Sequence, residues 1–131
     1  NRKEGYGIMD ENFRRQLEDN GVEVGSTINR FMGNEAMYLK FLGKFLEDKN
    51  CINIGKNLEE ENYEEAYKCA HTLKGVAANL GLEPLQKTVS VLVEELRGKK
   101  NEEVDSKRAD EEWQKVKKTY EQIFDIISKN Q

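Results

Sequence analysis

Apolar residues recur along this chain at spacings of three and four, and no stretch alternates one by one, so the pattern is that of amphipathic helices and not of strands. From Asp10 to about Asp19 the sequence DENFRRQLED opens on acidic residues and sets Phe13 and Leu17 one turn apart, which predicts a short helix ended by Asn20-Gly21. A second short helix is predicted from about Gly25 to Met32, with Ile28, Phe31 and Met32 apolar and Gly33 as its stop. Asn34 is a natural N-cap for a helix from Glu35 to Asp48 that carries Tyr38, Phe41, Leu42 and Phe45 on one face. Beyond it, Ile52 and Leu58 fit a continuing helix while Asn50, Asn53 and Gly55 weaken one.

Asn62 with Glu65 three residues on is a capping pair, and it opens a central helix from Tyr63 to about Leu80 that Gly81 ends. Pro84 at a first helical position begins the next, where Leu85, Val89, Leu92 and Leu96 repeat as far as Arg97. After a polar turn from Gly98 to about Asn101, a last helix runs from about Glu102 to Ser128 with Ala109, Trp113, Val116, Tyr120, Ile123 and Ile127 as its seam. Four long amphipathic helices joined by short turns predict an all-α fold, an antiparallel four-helix bundle with one or two short N-terminal helices. The last seam would also suit a coiled-coil dimer, but it falls short of four heptads and three other apolar faces need covering. A monomer is expected. The bundle should occupy residues 10–131, and residues 1–9, with two glycines and no periodicity, should form a flexible N-terminal arm.

Composition narrows the functional classes. The 131 residues suffice for one core. A formal net charge of −4 without a basic patch argues against nucleic acid as a partner. No segment reaches about 18 consecutive apolar residues and no basic amphipathic face stands out, so no membrane association is expected. Cys51 and Cys69, with a single histidine to join them, cannot make a zinc site. They read as reduced thiols of a cytoplasmic protein, Cys69 packed in the core. The opening residues lack the apolar segment of a signal peptide. The chain does not start with methionine, and both a free-standing protein and a fragment of a larger kinase fit that start.

Candidate chemistry concentrates in Ala70 to Leu82, AHTLKGVAANLGL, which holds the one histidine, His71. With successive residues about 100° apart, Ala66, Cys69, Ala70, Leu73, Val76, Ala77 and Leu80 share an arc of roughly 120°, and His71 lies about 160° from its middle. The imidazole is therefore expected to face out. Gly75 one turn on and Ala78 two turns on leave the surface beside it bare, and Lys74 projects an ammonium from the adjoining ridge. Glycine inside a helix costs about 1 kcal/mol relative to alanine, and close approach by a partner is the simplest reason to accept that cost. Asn79, about 80° round the helix from His71, suits helix termination and partner contact equally. Tyr67, one turn before His71, suits either the docking face or contact with the first bundle helices.

The run HTLKG followed by NLG resembles the signature of histidine-containing phosphotransfer (HPt) domains, the relay modules of two-component signalling, through His71, Leu73, Lys74, Gly75, Ala77, Gly81 and Leu85. A weaker resemblance extends from about Asp10 to Ile127. It favours continuation of the third helix to about Glu60, with a local bend near Gly55. It implies that His71 is the phosphoacceptor and that response-regulator receiver domains are the partners, with a hybrid sensor histidine kinase as a further candidate partner and the cognate kinase left open. It also implies that no cofactor is carried here, the magnesium ion and acceptor aspartate belonging to the receiver. Many members place Gln or Glu 22 residues after the histidine to hydrogen-bond its ring. Here that position is Val93, so the orienting partner is left open among Glu94, Gln86 and a water.

Near neutral pH an imidazole keeps a lone pair on one ring nitrogen and can attack phosphorus. Phosphoryl transfer needs positioning and charge neutralisation above all, which Lys74 at i+3 can supply. No phosphate-binding glycine loop accompanies the histidine, so a passive carrier without ATP-dependent kinase activity is expected. The alternatives are the phosphoacceptor domain of a chemotaxis-type histidine kinase and a helical scaffold without chemistry. Tyr67, Gly75, Ala78 and Asn79 are the expected docking positions.

Overall fold

The computed structural model describes residues 8–131 and is helical throughout, with seven α-helices and one short 3-10 helix among the described residues. They are α1 (Glu11–Asp19), α2 (Val24–Arg30), α3 (Glu35–Phe45), α4 (Asn50–Glu59), α5 (Tyr63–Asn79), α6 (Glu83–Leu96), the 3-10 turn Asn101–Glu103, and α7 (Ser106–Lys129). Helices α4 to α7 form the four-helix bundle, each packed on the next, with α4 closing the ring on α7. The two N-terminal helices α1 and α2, with α3, cover one end, α1 and α3 resting on α7. Most of the expected N-terminal arm lies outside the described residues. Of its last two, Ile8 is exposed, whereas Met9 is buried and its amide donates to the Glu35 carboxylate at 2.9 Å.

Local chemistry sets many boundaries where expected, but the last helix starts at Ser106 and not at about Glu102, because residues 101–103 form a 3-10 turn and Asp105 supplies the cap. Asp10, Asn34 and Asp105 cap α1, α3 and α7 by accepting from the amides of Phe13, Met37 and Arg108. Asn62 occupies the N-cap of α5 but makes no side-chain cap bond, so the expected capping pair with Glu65 does not form. Pro84 sits within the first turn of α6, one residue later than expected.

The third helix departs most from expectation. Instead of continuing to about Glu60 with a bend at Gly55, it breaks over residues 46–49 and restarts as α4. The Asp48 carboxylate takes both the backbone amide and the side-chain amide of Asn50, at 2.8 and 3.1 Å, and so starts a new helix. Gly55 lies inside the unbroken α4. A Cβ there would sit 2.7 Å from the Trp113 ring, so its role is to let α7 pack closely against α4.

The face of α5 that the periodicity assigned to the core is buried, with Ala66, Ala70, Leu73 and Ala77 fully enclosed between α4 and α6. Cys69 and Val76, at the margins of that face, are half-buried. Burial pushes the Cys51 thiol up to about 12, with Glu121 and Asp48 adding to the effect, and raises Cys69 as well.

The C-terminal end of α5 is gripped by the N-terminal helices. The buried Tyr38 hydroxyl donates to the Leu80 carbonyl at 3.1 Å, the Glu23 amide to the Gly81 carbonyl at 2.9 Å, and Arg30 to the Ala78 carbonyl at 3.2 Å. The Ala78 and Gly81 carbonyls also accept from the amides of Gly81 and Glu83, whereas the Leu80 carbonyl has no backbone donor among the described residues and depends on Tyr38. Gly81, at φ +71°, lets the chain turn there, and any Cβ would collide with the Thr27 hydroxyl. Tyr38→Phe leaves the Leu80 carbonyl buried without its donor, and we expect a loss of about 1–2 kcal/mol in urea unfolding. An unchanged midpoint would mean that this bond does not hold the end of α5.

Candidate functional site

With its opposite face locked into the bundle, α5 presents His71, Thr72 and Gly75 to solvent. A Cβ added at Gly75 would meet no other side chain or distant backbone within 4 Å, so nothing inside the protein requires glycine at this point. Lys74 is half-buried on the next ridge, and Ala78 is half-buried two turns beyond His71. The imidazole thus stands on an open ridge with small residues ahead of it. Among the described residues no side chain hydrogen-bonds it.

The two flanks of this ridge differ. On the α6 side stands a charged wall. Tyr67, one turn before His71, places its ring 5.9 Å from the imidazole, centre to centre, at a tilt of 41°. Its hydroxyl accepts from Arg97 Nη1 at 2.9 Å, so Tyr67 turns towards the end of α6. Arg97 in turn grips the Glu94 carboxylate, with Nη2 at 3.0 Å and Nε at 3.1 Å. Arg97's hydrogen bond is the main cause that holds the Glu94 carboxyl below its ordinary pKa, and the positive charges of Arg97 and Lys74 act in the same direction.

On the other flank lies a groove of about 440 Å³ between α5 and the α2–α3 pair. Val76, Asn79 and Leu80 form its α5 wall, Phe31, Phe41 and Phe45 its apolar floor and far wall, and Arg30, Lys44 and Asp48 its charged rim. Asn79, read as equally suited to helix termination and contact, is exposed and lines this groove. Phe41 was expected in the core with Tyr38, Leu42 and Phe45, yet it is 39% exposed. It lies at the edge of the buried stripe of α3, where its ring packs edge-on against Phe31 at 5.8 Å and Lys44 approaches at 5.6 Å. Met32, also expected on an apolar face, is 93% exposed because the chain turns through φ 57° there, after α2 has ended.

The sequence-predicted positions His71, Lys74, Gly75, Ala78, Asn79 and Tyr67 therefore share one continuous surface. Arg97 and the groove aromatics complete it and were missed, because they reach it only through the way α6 and α2–α3 pack against α5. The Glu94–Arg97 spacing of three was a legible clue to an ion pair, though not to its place beside His71. Val93, which the resemblance sets at the position of a ring-orienting Gln or Glu, is fully buried, and Glu94 next to it is engaged by Arg97. Among the described residues no three His, Cys, Asp or Glu side chains converge on a metal position, and no helix is long and apolar enough to cross a membrane.

The Hpt domain family model matches residues 40–125, the stretch that holds this exposed histidine. The chain belongs to the Hpt domain family. No curated protein and no solved structure is matched. The family assigns the chain to phosphotransfer within two-component signalling, opposite response-regulator receiver domains. In this Hpt domain the matched segment holds His71, Lys74 and the bundle from α4 to the last turn of α7, whereas α1, α2 and the start of α3 precede it.

The openness at Gly75 yields a direct check. Gly75→Ala removes the entropic weakness of glycine without meeting any neighbour, so unfolding in urea should show a gain of about 0.5–1 kcal/mol. A loss of stability would mean that glycine at 75 serves packing within the chain.

Proposed function

We propose that His71 accepts a phosphoryl group from the aspartyl phosphate of one receiver domain and passes it to an aspartate of another. A ring nitrogen of the imidazole attacks phosphorus, an N–P bond forms as the P–O bond to the aspartate breaks, and the carboxylate leaves with the bonding pair. Transfer onward is the same exchange in reverse, with a new carboxylate as nucleophile. The observation that carries the reading is the exposed imidazole beside a glycine with empty space around it. A receiver must bring its aspartyl pocket within bonding distance of the ring, and a side chain at 75 would stand in its path.

Lys74 supports the three phosphoryl oxygens from the neighbouring ridge, where a charge-assisted contact is stronger than a neutral one. The magnesium ion that balances the remaining charge comes with the receiver, as does the acceptor carboxylate. The partner docks across the ridge of α5, with Tyr67, Gly75, Ala78 and Asn79 beneath it and the groove lined by Phe31, Phe41 and Val76 alongside. The domain carries the phosphoryl group without generating it.

Incubation with radiolabelled phosphoreceivers tests this. The protein should acquire acid-labile, base-stable label; His71→Gln should acquire none while melting as the parent does. Lys74→Gln should transfer roughly tenfold more slowly, from the loss of one charge-assisted contact that is partly open to solvent. Label that persists in His71→Gln, or a parent protein that never labels, would refute the reading.

A further inference from the structure

The proposed phosphoacceptor lacks the usual device for choosing its rotamer and tautomer, a hydrogen bond from a neighbouring side chain to one ring nitrogen. Val93 is buried among apolar residues and cannot provide one, and Glu94 is committed to Arg97. What does bear on the ring is Tyr67, four residues earlier on the same helix face, at a separation and tilt typical of interacting aromatic rings. A half-buried tyrosine on a helix surface could swing away, but the Arg97 hydrogen bond pins the hydroxyl end of this one. Arg97 is itself fixed at both ends. Its backbone ends α6 immediately before Gly98, which turns the chain at φ +65°, and its guanidinium is held by Glu94.

Such a chain of contacts has little to do with folding. Glu94 and Arg97 are both exposed, and exposed ion pairs contribute little to stability. The tie from Glu94 through Arg97 to Tyr67 nonetheless spans two helices and ends against the one imidazole of the protein. We propose that Tyr67 is a positioning residue for the His71 imidazole, held in place by Arg97, which Glu94 braces. The inference rests on the reading of His71 as phosphoacceptor and adds how its ring is kept ready without a hydrogen-bonded orienter. A rigid aromatic neighbour restricts the rotation of the imidazole about its side-chain bonds, while the Gly75 side stays open for the incoming phosphoryl group.

The test uses phosphoramidate, a small phosphoryl donor that transfers to a histidine nitrogen with release of ammonia and needs no docking surface. Phosphorylation rates are measured for the parent, Tyr67→Phe, Arg97→Gln, the double variant and Tyr67→Ala, with nitrogen-15 spectra of the imidazole recorded for each. Loss of the hydroxyl tie should slow Tyr67→Phe and Arg97→Gln to a similar extent, by about threefold, and the double variant should be no slower than either. Tyr67→Ala should be slowest, by about tenfold, with imidazole nitrogen shifts moved towards those of a freely rotating histidine. Equal rates and unchanged imidazole spectra in all four variants would overturn the positioning role. So would losses in Tyr67→Phe and Arg97→Gln that multiply in the double variant, since Arg97 would then act on the phosphoryl group by its own charge. Tyr67→Phe and Arg97→Gln keep the packing of α5, so the comparison stands even if Tyr67→Ala unfolds. A protein that phosphoramidate labels at His71 but no phosphoreceiver does would sink the relay reading and leave the positioning role to be judged on these rates.

Discussion

The rotation of α5 about its own axis is fixed by a stripe of small and branched side chains, Ala66, Ala70, Leu73 and Ala77, enclosed between α4 and α6. Three alanines in that stripe let the neighbouring helices approach closely, and close packing leaves no room for the helix to turn. Everything at the site follows from that lock. The residue opposite the stripe is His71, and the residue one turn on is Gly75, so sealing one face of α5 presents the other as a bare ridge. Burial energy, spent on one side of a helix, thus exposes the imidazole on the other.

A second constraint acts along the helix axis. The last carbonyls of α5 are taken by Tyr38, Arg30 and the Glu23 amide, all contributed by the segment that precedes the bundle. The same segment supplies Phe31 and Phe41 to the groove beside Asn79. The N-terminal helices therefore do two things at once: they end α5 cleanly, and they build the apolar flank of the surface around His71. The opposite flank is polar, with Lys74, Glu94 and Arg97 close together. A partner docked on the ridge as proposed would have a charged wall on one side and an aromatic groove on the other, two unlike flanks that would orient it.

Much of this was legible in the sequence because it depends on local rules. Helical periodicity assigned the buried face of α5 and hence the outward His71, and the acidic opening at Asp10, the N-cap at Asn34 and the stop at Gly81 marked helix ends. What the sequence concealed depends on competition or on packing. The helix break at residues 46–49 turns on Asp48 capturing Asn50, a local bond that apolar spacing cannot reveal. Phe41 is exposed because it stands at the mouth of the groove beside α5, with Phe31 as its aromatic neighbour, and Arg97 meets Tyr67 only because α5 and α6 pack in one particular register. Gly55 looked like a weak point and proves to be the seat of Trp113, a distinction that lies in the partner helix and not in the glycine.

The most direct measurement is a site-resolved spectrum of the intact protein after exposure to a phosphorylated receiver domain. Phosphorus and nitrogen spectra should reveal one phosphoramidate at residue 71, with shifted resonances confined to the ridge from Tyr67 to Asn79, to Glu94 and Arg97, and to the walls of the adjoining groove. Phosphorus bound at any other residue, or a rearrangement reaching the alanine-packed interior of the bundle, would contradict an imidazole held ready on an otherwise unmoving helix.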